Sequence, residues 1–387
     1  MTELGNRLQR LAEELNGALI EDLVRNATLS SPAWRAAFQA VPRHRFAPRF
    51  TLPDNAGGRA FDAADSAHRE EWLRAAYQSK ALLTDLDEHN IATTSCSAPS
   101  VVATMLEASQ AVEGDSVLEI GTGTGWTAGL LSHRLGSDAV TSVDVNPRCV
   151  TEARERLDAL DLTPTLAACD GYQGYEPHAP YDRIIATASL RQVPPAWLGQ
   201  VRPGGTILVD LRGNFAGNLA LLTVEADQSA HGRFLPETVN FMPLRSEQQP
   251  FELLPELSSR AVNEPGNDRV TSLDPAVLRK RTFAFFAQVA LPGNETGQVR
   301  VKGGPTYFCL TDPHSQAWAR VELGDQAAAR PVTQGGDRRL WDELEAAHEW
   351  WEQLDQPQPE DFTIFVSSQG EQVVRLAGAE GVWRLPL

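Results

Sequence analysis

The chain has 387 residues, which is long for one domain and comfortable for two, and 42% of them are hydrophobic, enough for a full core. Its net charge of −17 argues against a general nucleic-acid binder, because the phosphates would be repelled. The sequence has no apolar run of membrane-spanning length and no secretory signal, and its four cysteines form no CxxC pair and no cluster with histidine. We therefore expect a cytoplasmic protein with no nucleic-acid, membrane or metal partner.

Leucines at steps of three and four residues predict one helix over Met1–Leu29, whose apolar stripe we expect to face the core. The motif VPRHRFAP follows at 41–48, and TTSCSAPS at 93–100 leads into a predicted helix over Ser100–Ser109. The polar stretch between these motifs, residues 50–70, is interpreted as a surface insertion, with a flexible lid as the alternative.

Strands and helices alternate from residue 117 onward. This order predicts a parallel α/β sheet with right-handed crossovers, in which ligands bind beyond the carboxyl ends of the strands. The predicted strands are Val117–Ile120, Ala139–Val145, Thr165–Ala168, 181–189 and 201–210, and the helices between the first three are Trp126–Leu135 and Pro147–Leu160.

The turn in VLEIGTGTGW (117–126) is the first candidate ligand site. A Walker P-loop would need Lys-Ser/Thr after its last glycine, a dinucleotide-binding turn would need its third glycine at position 126, and a kinase loop would need companion motifs that this sequence does not contain. What remains is a GxGxG turn preceded by an acid, Glu119, which suits a ligand with a nucleoside and an amino-acid end. Asp144 ends the second strand 23 residues after Gly121, where a doubly wound fold places the carboxylate that binds ribose hydroxyls.

Five motifs in this order resemble those of the protein L-isoaspartate O-methyltransferases, a family of class I S-adenosylmethionine-dependent methyltransferases. They are VPRHRFAP, TTSCSAPS, VLEIGTGTGW, CDGYQGYEPHAPYDRIIATAS (169–189) and VPPAWLGQVRPGG (193–205), and they span roughly residues 35–215. The chain departs from the family pattern at Trp126, where tyrosine is usual, and at Ser100, where many repair enzymes carry histidine. The departure at Ser100 counts against recognition of isoaspartate as the substrate.

The resemblance implies a Rossmann-like class I methyltransferase fold that binds S-adenosylmethionine and releases S-adenosylhomocysteine. It also implies that Asp144 accepts both ribose hydroxyls, that Asp170 accepts the adenine amino group, and that Glu119 either contacts the methionine end or braces the loop. The cofactor-binding residues expected on this basis are Glu119, Gly121, Thr122, Gly123, Gly125, Asp144, Val145, Asp170 and Gly171.

By the same resemblance Ser97 is the active-site serine, with Thr94 and Ser95 as weaker candidates for the substrate pocket. The structural alternative for Ser97 is a helix N-cap, although Ser100 is better placed for that role. An acceptor carboxylate has a pKa of about 4 and is ionised at neutral pH, so we expect no strong general base.

The resemblance and the composition together predict three parts of the chain. A methyltransferase domain covers 1–245, with its N-terminal helical part over about 1–90. A linker rich in Pro, Gln, Glu and Ser covers 246–268, and a smaller C-terminal α+β domain covers 269–387.

The C-terminal domain is predicted to contain short strands, beginning with TFAFFAQVA (282–290), and one helix at 337–354. One interpretation is that its tryptophans fill a small core. The alternative rests on Trp350 and Trp351, which are adjacent and cannot both face inward on a helix. On that interpretation one of the two is exposed and anchors a peptide substrate.

The extra C-terminal region also resembles a subgroup of these methyltransferases that acts on ribosomally synthesised, modified peptides. Its members methylate a normal aspartate of a constrained peptide, and the ester then cyclises to an aspartimide. This reaction is our main hypothesis. The alternatives are repair of isoaspartyl residues in damaged proteins, and a non-catalytic cofactor- or peptide-binding role in a biosynthetic complex. The expected partner is in each case a peptide or protein with an aspartyl or isoaspartyl residue.

Overall fold

The computed structural model describes residues 3–53, 60–246, 255–324, 329–378 and 381–385. These residues form ten α-helices, which are α1 (Glu3–Arg25), α2 (Pro32–Ala40), α3 (Arg69–Ala76), α4 (Pro99–Ala108), α5 (Trp126–Leu135), α6 (Pro147–Asp158), α7 (Pro195–Leu198), α8 (Pro255–Asn263), α9 (Arg281–Ala290) and α10 (Leu340–Gln353). They also form nineteen β-strands, which are β1 (Arg49–Phe50), β2 (Phe61–Asp62), β3 (Leu82–Leu86), β4 (Ala92–Cys96), β5 (Val117–Ile120), β6 (Val140–Asp144), β7 (Thr165–Ala168), β8 (Tyr181–Leu190), β9 (Val201–Arg212), β10 (Gly217–Val224), β11 (Ala230–Phe234), β12 (Asn267–Thr271), β13 (Glu295–Arg300), β14 (Thr306–Asp312), β15 (Ala317–Leu323), β16 (Arg330–Gly335), β17 (Phe362–Val366), β18 (Gln372–Leu376) and β19 (Val382–Arg384).

The predicted Rossmann-like sheet is confirmed. Strands β7, β6, β5, β8 and β9 lie side by side in that order, and each neighbouring pair is parallel. All four side chains of β5 are buried, as expected for a central parallel strand with helices on both faces. The carboxyl ends of β5, β6 and β8 therefore meet at one edge of the sheet, where the glycine turn begins.

The N-terminal helices cover one face of this sheet. The helix predicted over Met1–Leu29 runs from Glu3 to Arg25, and Leu19 and Leu23 of its apolar stripe are buried in the same cluster as Trp34 and Phe38 of α2. In the polar stretch, β1 pairs with β2, while residues 54–59 of the proposed insertion or lid lie outside the described residues. Within the described ranges, no helix has both the length and the apolar character needed to cross a membrane.

The main sheet continues past the predicted linker. Strand β10 extends it antiparallel to β9, β11 pairs antiparallel with β10, and β17, β18 and β19 from the C-terminal region then complete ten strands. Strands β12 to β16 form a separate five-stranded sheet. The predicted linker over 246–268 contains α8 and the start of β12, and its residues 247–254 lie outside the described residues. The domain boundaries remain a prediction, but the last three C-terminal strands, β17 to β19, share one sheet with the parallel strands.

The predicted strand at 282–290 is wrong, because these residues form α9. Phe283 and Phe286 recur at a helical step of three and both are buried, as is Phe285 between them. A helix that is apolar nearly all round looks like a buried strand when only the run of apolar residues is counted. Helix α9 packs its phenylalanines between the main sheet and α10, so one hydrophobic cluster holds residues of both.

Candidate active site

A cavity of about 240 Å³ lies at the carboxyl ends of β5, β6 and β8. Three parts of the chain form most of its wall: the glycine turn with the end of β6, the strand β4 with the residues that follow it, and a segment at 240–245. Of the residues predicted for the site, the cavity wall contains Thr94, Ser95, Ser97, Gly121, Thr122, Gly123, Asp144, Val145 and Gly171.

The glycine turn needs glycine for both its backbone angles and the space it leaves. Gly121, Gly123 and Gly125 have φ values of 103°, 50° and 89°, which other residues rarely adopt. A Cβ on Gly121 would lie 2.7 Å from Thr187 Oγ1, and one on Gly125 would lie 2.8 Å from Ala153 Cβ. Gly125 begins α5 and, among the described residues, is not part of the cavity wall. Its position instead lets α5 pack closely against α6.

Asp144 connects the turn to the end of β6. Its Oδ2 accepts a hydrogen bond from Gly123 N–H at 2.8 Å, and its Oδ1 accepts one from Asn146 N–H at 2.9 Å. Asp144 and Val145 both line the cavity and Asp144 is only partly buried, so the carboxylate can accept further hydrogen bonds from a ligand.

Glu119 lies beneath the glycine turn. It is fully buried, and the described cavity wall does not include it. Its Oε2 accepts a hydrogen bond from Ser142 Oγ at 2.6 Å, and Ser142 Oγ lies 2.7 Å from Thr122 Oγ1. Burial raises the pKa of Glu119 to about 8, the Ser142 hydrogen bond opposes that shift, and the nearby Asp144 carboxylate adds to it. Of the two predicted roles, the geometry favours bracing of the loop.

Asp170 has both carboxylate oxygens engaged. Oδ1 accepts from Tyr172 N–H at 2.9 Å, and Oδ2 accepts from Ser246 Oγ at 2.6 Å. Within the described residues Asp170 borders a separate depression rather than the cavity at the glycine turn, whose wall includes the next residue, Gly171. A Cβ on Gly171 would lie 2.7 Å from Ile120 Cγ2, so glycine keeps this wall close to β5. The predicted adenine contact remains a prediction.

Strand β4 presents a row of hydroxyl groups to the cavity. Thr93 and Ser95 lie on one face of the strand, and Ser97 follows two residues later. Thr94 points the other way, and its Oγ1 lies 3.4 Å from Cys149 Sγ, although other atoms of Thr94 reach the cavity wall. The Thr93 hydroxyl is buried and has no hydrogen-bond partner among the described residues. Sequence analysis missed Thr93. Side chains two residues apart on a strand lie on the same face, so Ser95 could have identified it.

The N-cap alternative for Ser97 is wrong. Helix α4 begins at Pro99, its N-cap is Ala98, and no side chain caps it within the described structure. Ser100 lies inside the first turn, so it is not the cap either. Because Ser97 has no capping role and lines the cavity, a contact with a ligand becomes the stronger interpretation.

Arg43, from the motif VPRHRFAP, holds the strand–helix junction that carries Ser97. Its guanidinium is fully buried and donates to five backbone carbonyls, including Cys96 O at 3.0 Å and Ser97 O at 2.9 Å. The guanidinium carbon also lies 5.4 Å from the centre of the Trp126 ring, on the helix that follows the glycine turn. Sequence analysis identified the motif but assigned this arginine no role, since its partners lie 33 to 54 residues away.

The segment 240–245 forms the third wall, and sequence analysis missed it. Ser189, near the end of β8, donates its N–H to Met242 O at 2.9 Å and accepts from Leu244 N–H at 2.8 Å. These bonds align the segment with β8, where Phe241, Leu244 and Arg245 reach the cavity. No glycine motif or strong periodicity marks the segment, so local sequence signals could not have found it.

Neither tryptophan of the predicted peptide anchor is fully exposed, and the anchor role itself remains a prediction. Trp351 is 1% exposed and packs against Phe283, with ring centres 5.4 Å apart. Trp350 is partly buried between Phe286 and Trp383, with ring centres 5.4 Å from each. Neither tryptophan belongs to the described cavity wall. Both tryptophans therefore pack against other aromatic rings, because α9 and β19 flank α10.

S-adenosylmethionine fits these residues. Gly121 and Gly123, at positive φ values that favour glycine, line the cavity with their backbone, and the partly exposed carboxylate of Asp144 stands beside them as an acceptor for hydroxyl groups. Glu119 Oε1 is buried under the turn and has no hydrogen-bond partner in the described residues. No three His, Cys, Asp or Glu side chains among the described residues form a group that could hold a metal ion.

Comparison with known proteins identifies the family. Residues 54–249, half of the chain, match the family model for protein-L-isoaspartate(D-aspartate) O-methyltransferase. The protein-L-isoaspartate O-methyltransferase of Ignicoccus hospitalis is 33% identical over 51% of this chain and 82% of its own length. Protein-L-isoaspartate O-methyltransferase 2 of Archaeoglobus fulgidus is 32% identical over 53% of this chain and 93% of its own length.

A solved structure of a protein-L-isoaspartate O-methyltransferase shares the fold beyond this region. It is only 20% identical, but it covers 94% of this chain and 99% of its own chain with a TM-score of 0.54. The C-terminal region therefore has a counterpart in a protein that carries the repair family's name. The chain belongs to the protein-L-isoaspartate(D-aspartate) O-methyltransferase family and is an S-adenosylmethionine-dependent carboxyl O-methyltransferase.

Proposed function

We propose that this protein methylates the free carboxylate of an isoaspartyl residue in a peptide or protein. The observation that carries the proposal is a single cavity that joins the glycine turn and Asp144 to the hydroxyl groups of Ser95 and Ser97. A cofactor and an acceptor carboxylate can therefore lie next to each other in one cavity. The names of the relatives that match along most of their own length support isoaspartate as the acceptor.

The residues of this chain need only bind and orient the reactants. S-adenosylmethionine, when bound, supplies a methyl group whose carbon–sulfur bond breaks as a carboxylate oxygen takes the methyl. The acceptor is already ionised near neutral pH, so no proton has to be removed. Ser97 and Ser95 can donate hydrogen bonds that fix the carboxylate, and the 240–245 segment excludes water that would solvate it.

A second candidate is methylation of a normal aspartate in a constrained, ribosomally made peptide, with later closure to an aspartimide. The observation that favours it is Ser100, where many repair enzymes carry histidine; in the described structure Ser100 lies on α4 outside the cavity wall. The extra C-terminal region no longer favours this candidate, because a solved structure with the repair name covers almost the whole chain.

Matched peptides separate the two candidates. One set of linear peptides would differ only in whether a single residue is isoaspartyl or aspartyl, and a cyclic version of the aspartyl peptide would add the constraint. The experiment would measure both the transfer of labelled methyl groups and the mass of each product. We expect methylation of the isoaspartyl peptide alone. Preferred methylation of the cyclic aspartyl peptide, followed by a net loss of one water, would support the second candidate and contradict the first.

A further inference from the structure

The described wall of the cavity contains two ionisable side chains, Asp144 and Arg245. Asp144 stands at the end of β6 and is bonded to the glycine turn through Gly123 N–H. Arg245 lies on the third wall, at the cavity mouth, and its side chain is exposed. The two charges of opposite sign therefore belong to different parts of the cavity.

Arg245 lies next to the hydroxyl face of β4. Its guanidinium donates a hydrogen bond to the backbone carbonyl of Thr93. The Thr93 hydroxyl is buried without a partner in the described residues, and Ser95 follows on the same face. A guanidinium has five N–H donors, so one bond to a carbonyl leaves others for a ligand.

The backbone that carries Arg245 is fixed to the main sheet. The preceding residue, Leu244, donates its N–H to Ser189 O at 2.8 Å. Phe241 N–H at the start of the segment bonds the buried carboxylate of Asp210 at 3.3 Å. The position of the arginine is thus set by β8 and β9, while the side chain can adjust at the cavity mouth.

We propose that Arg245 binds the acceptor carboxylate of the peptide and positions it against the hydroxyl groups of Thr93, Ser95 and Ser97. This assignment rests on the proposed function. Planar guanidinium and carboxylate groups can form two parallel hydrogen bonds, which fixes orientation as well as distance. Arg245 contacts β4, which leads into Ser97, so it serves the acceptor side of the cavity rather than the cofactor end marked by Asp144.

The test compares an isoaspartyl peptide with an analogue whose acceptor carboxylate is a carboxamide. Binding of each peptide is measured with S-adenosylhomocysteine present, for the wild type, Arg245→Gln and Arg245→Lys. The control is Arg202→Gln, which removes a partly exposed arginine paired with Asp182 at the opposite edge of the sheet. Thermal melts of each variant check that the fold is unchanged.

We expect the wild type and Arg202→Gln to prefer the carboxylate peptide by about tenfold, the lower end of the range for charge-assisted hydrogen bonds because the site is partly solvated. Arg245→Gln should lose that preference and raise KM with a smaller change in kcat. Arg245→Lys should keep only part of the preference for the carboxylate peptide, because an ammonium group cannot form the two parallel hydrogen bonds.

Three outcomes would overturn the assignment. Retention of the full preference for carboxylate in Arg245→Gln, with active wild-type enzyme, would remove Arg245 from acceptor binding and leave the proposed function intact. Weaker binding of S-adenosylhomocysteine in that variant would place Arg245 at the cofactor instead. Failure of the wild type to methylate the isoaspartyl peptide would overturn the proposed function itself, and the acceptor assignment with it.

Discussion

The guanidinium of Arg43 donates to the backbone carbonyl of Ser97 across 54 positions of sequence, at 2.9 Å. The same group holds four other carbonyls, so one buried side chain fixes the junction between β4 and α4. The orientation of the candidate active-site serine therefore depends on the N-terminal motif.

Replacement of Arg43 by lysine should lower the free energy of unfolding by at least about 3 kcal/mol, because a single ammonium cannot satisfy five buried carbonyls. Urea unfolding measures this change. Arg7→Lys, at an exposed ion pair on α1, is the matched control and should be close to wild type. Wild-type stability in Arg43→Lys would show that the carbonyls are satisfied in some other way.

Asp144→Ala and Gly123→Val should each weaken binding of S-adenosylhomocysteine by one to two orders of magnitude. The first removes a charge-assisted acceptor, which is worth about 1.5–3 kcal/mol. The second forces a β-branched residue to a φ of 50°. Titration calorimetry measures both, with the exposed Asp138→Ala as control. Unchanged affinity in both site variants would contradict the cofactor assignment.

Ser97→Ala should lower kcat roughly ten- to a hundredfold while affinity for S-adenosylhomocysteine stays within about twofold, because its hydroxyl acts on the acceptor. Ser100→Ala, three residues along the chain and outside the described cavity wall, provides the control and should retain activity. Steady-state kinetics with the isoaspartyl peptide distinguishes them. Equal kcat values in the two variants would return Ser97 to a structural role.

The buried carboxyl of Glu119 predicts a pH dependence of stability. Its pKa is about 8 in the folded protein against an ordinary value of 4.5, so between these values the folded state holds a proton that the unfolded state has released. Stability should therefore fall as pH rises from about 4.5 to 8 and level off above that. Each pH unit in this window should cost wild type about 1.4 kcal/mol relative to Glu119→Gln.

Urea unfolding without cofactor, across that pH range, measures the effect as a difference between wild type and Glu119→Gln. The exposed Glu113→Gln should follow the wild-type curve. Parallel curves for wild type and Glu119→Gln would show that Glu119 is ionised in the folded state, for example through water beneath the glycine turn.

The cofactor side of the site could be predicted because its signals are local. Gly121, Gly123 and Asp144 belong to one strand–turn–helix–strand unit, and the backbone angles the turn requires leave glycine as almost the sole choice. The remaining walls depend on contacts between distant segments. Arg43 reaches Ser97 from 54 positions away, and the 240–245 segment is aligned by its pairing with β8, so no local pattern identifies them.

The C-terminal errors have a related cause. Strand candidates were chosen from short apolar runs, which do not distinguish a strand from a buried helix such as α9. An exposed tryptophan was expected at Trp350 or Trp351 because α10 was considered alone. In the folded chain, α9 covers one of these rings, and Phe286 and Trp383 enclose much of the other.

Trp351→Ala should lower the free energy of unfolding by about 3–5 kcal/mol, since it removes a fully buried ring that packs on Phe283. Trp350→Ala should cost less, because that ring is partly exposed, and neither variant should raise KM for peptide at temperatures where it is folded. The control is Phe365→Ala, an exposed aromatic residue on β17, which should have little effect on stability. A raised KM in Trp350→Ala with unchanged stability would support the peptide-anchor hypothesis.

Removal of residues 269–387 should likewise disrupt the fold, rather than only weaken the binding of substrate. Strand β17 pairs with β11 along four residue pairs, so its loss would leave β11 as an unpaired edge and would strip α9 and α10 from the main sheet. We expect the shortened chain to aggregate or to bind S-adenosylhomocysteine far more weakly than the full chain does. Gel filtration and calorimetry measure these properties directly. A monomeric chain of residues 1–268 with full-length cofactor affinity would instead establish the predicted start of the C-terminal domain as a true domain boundary.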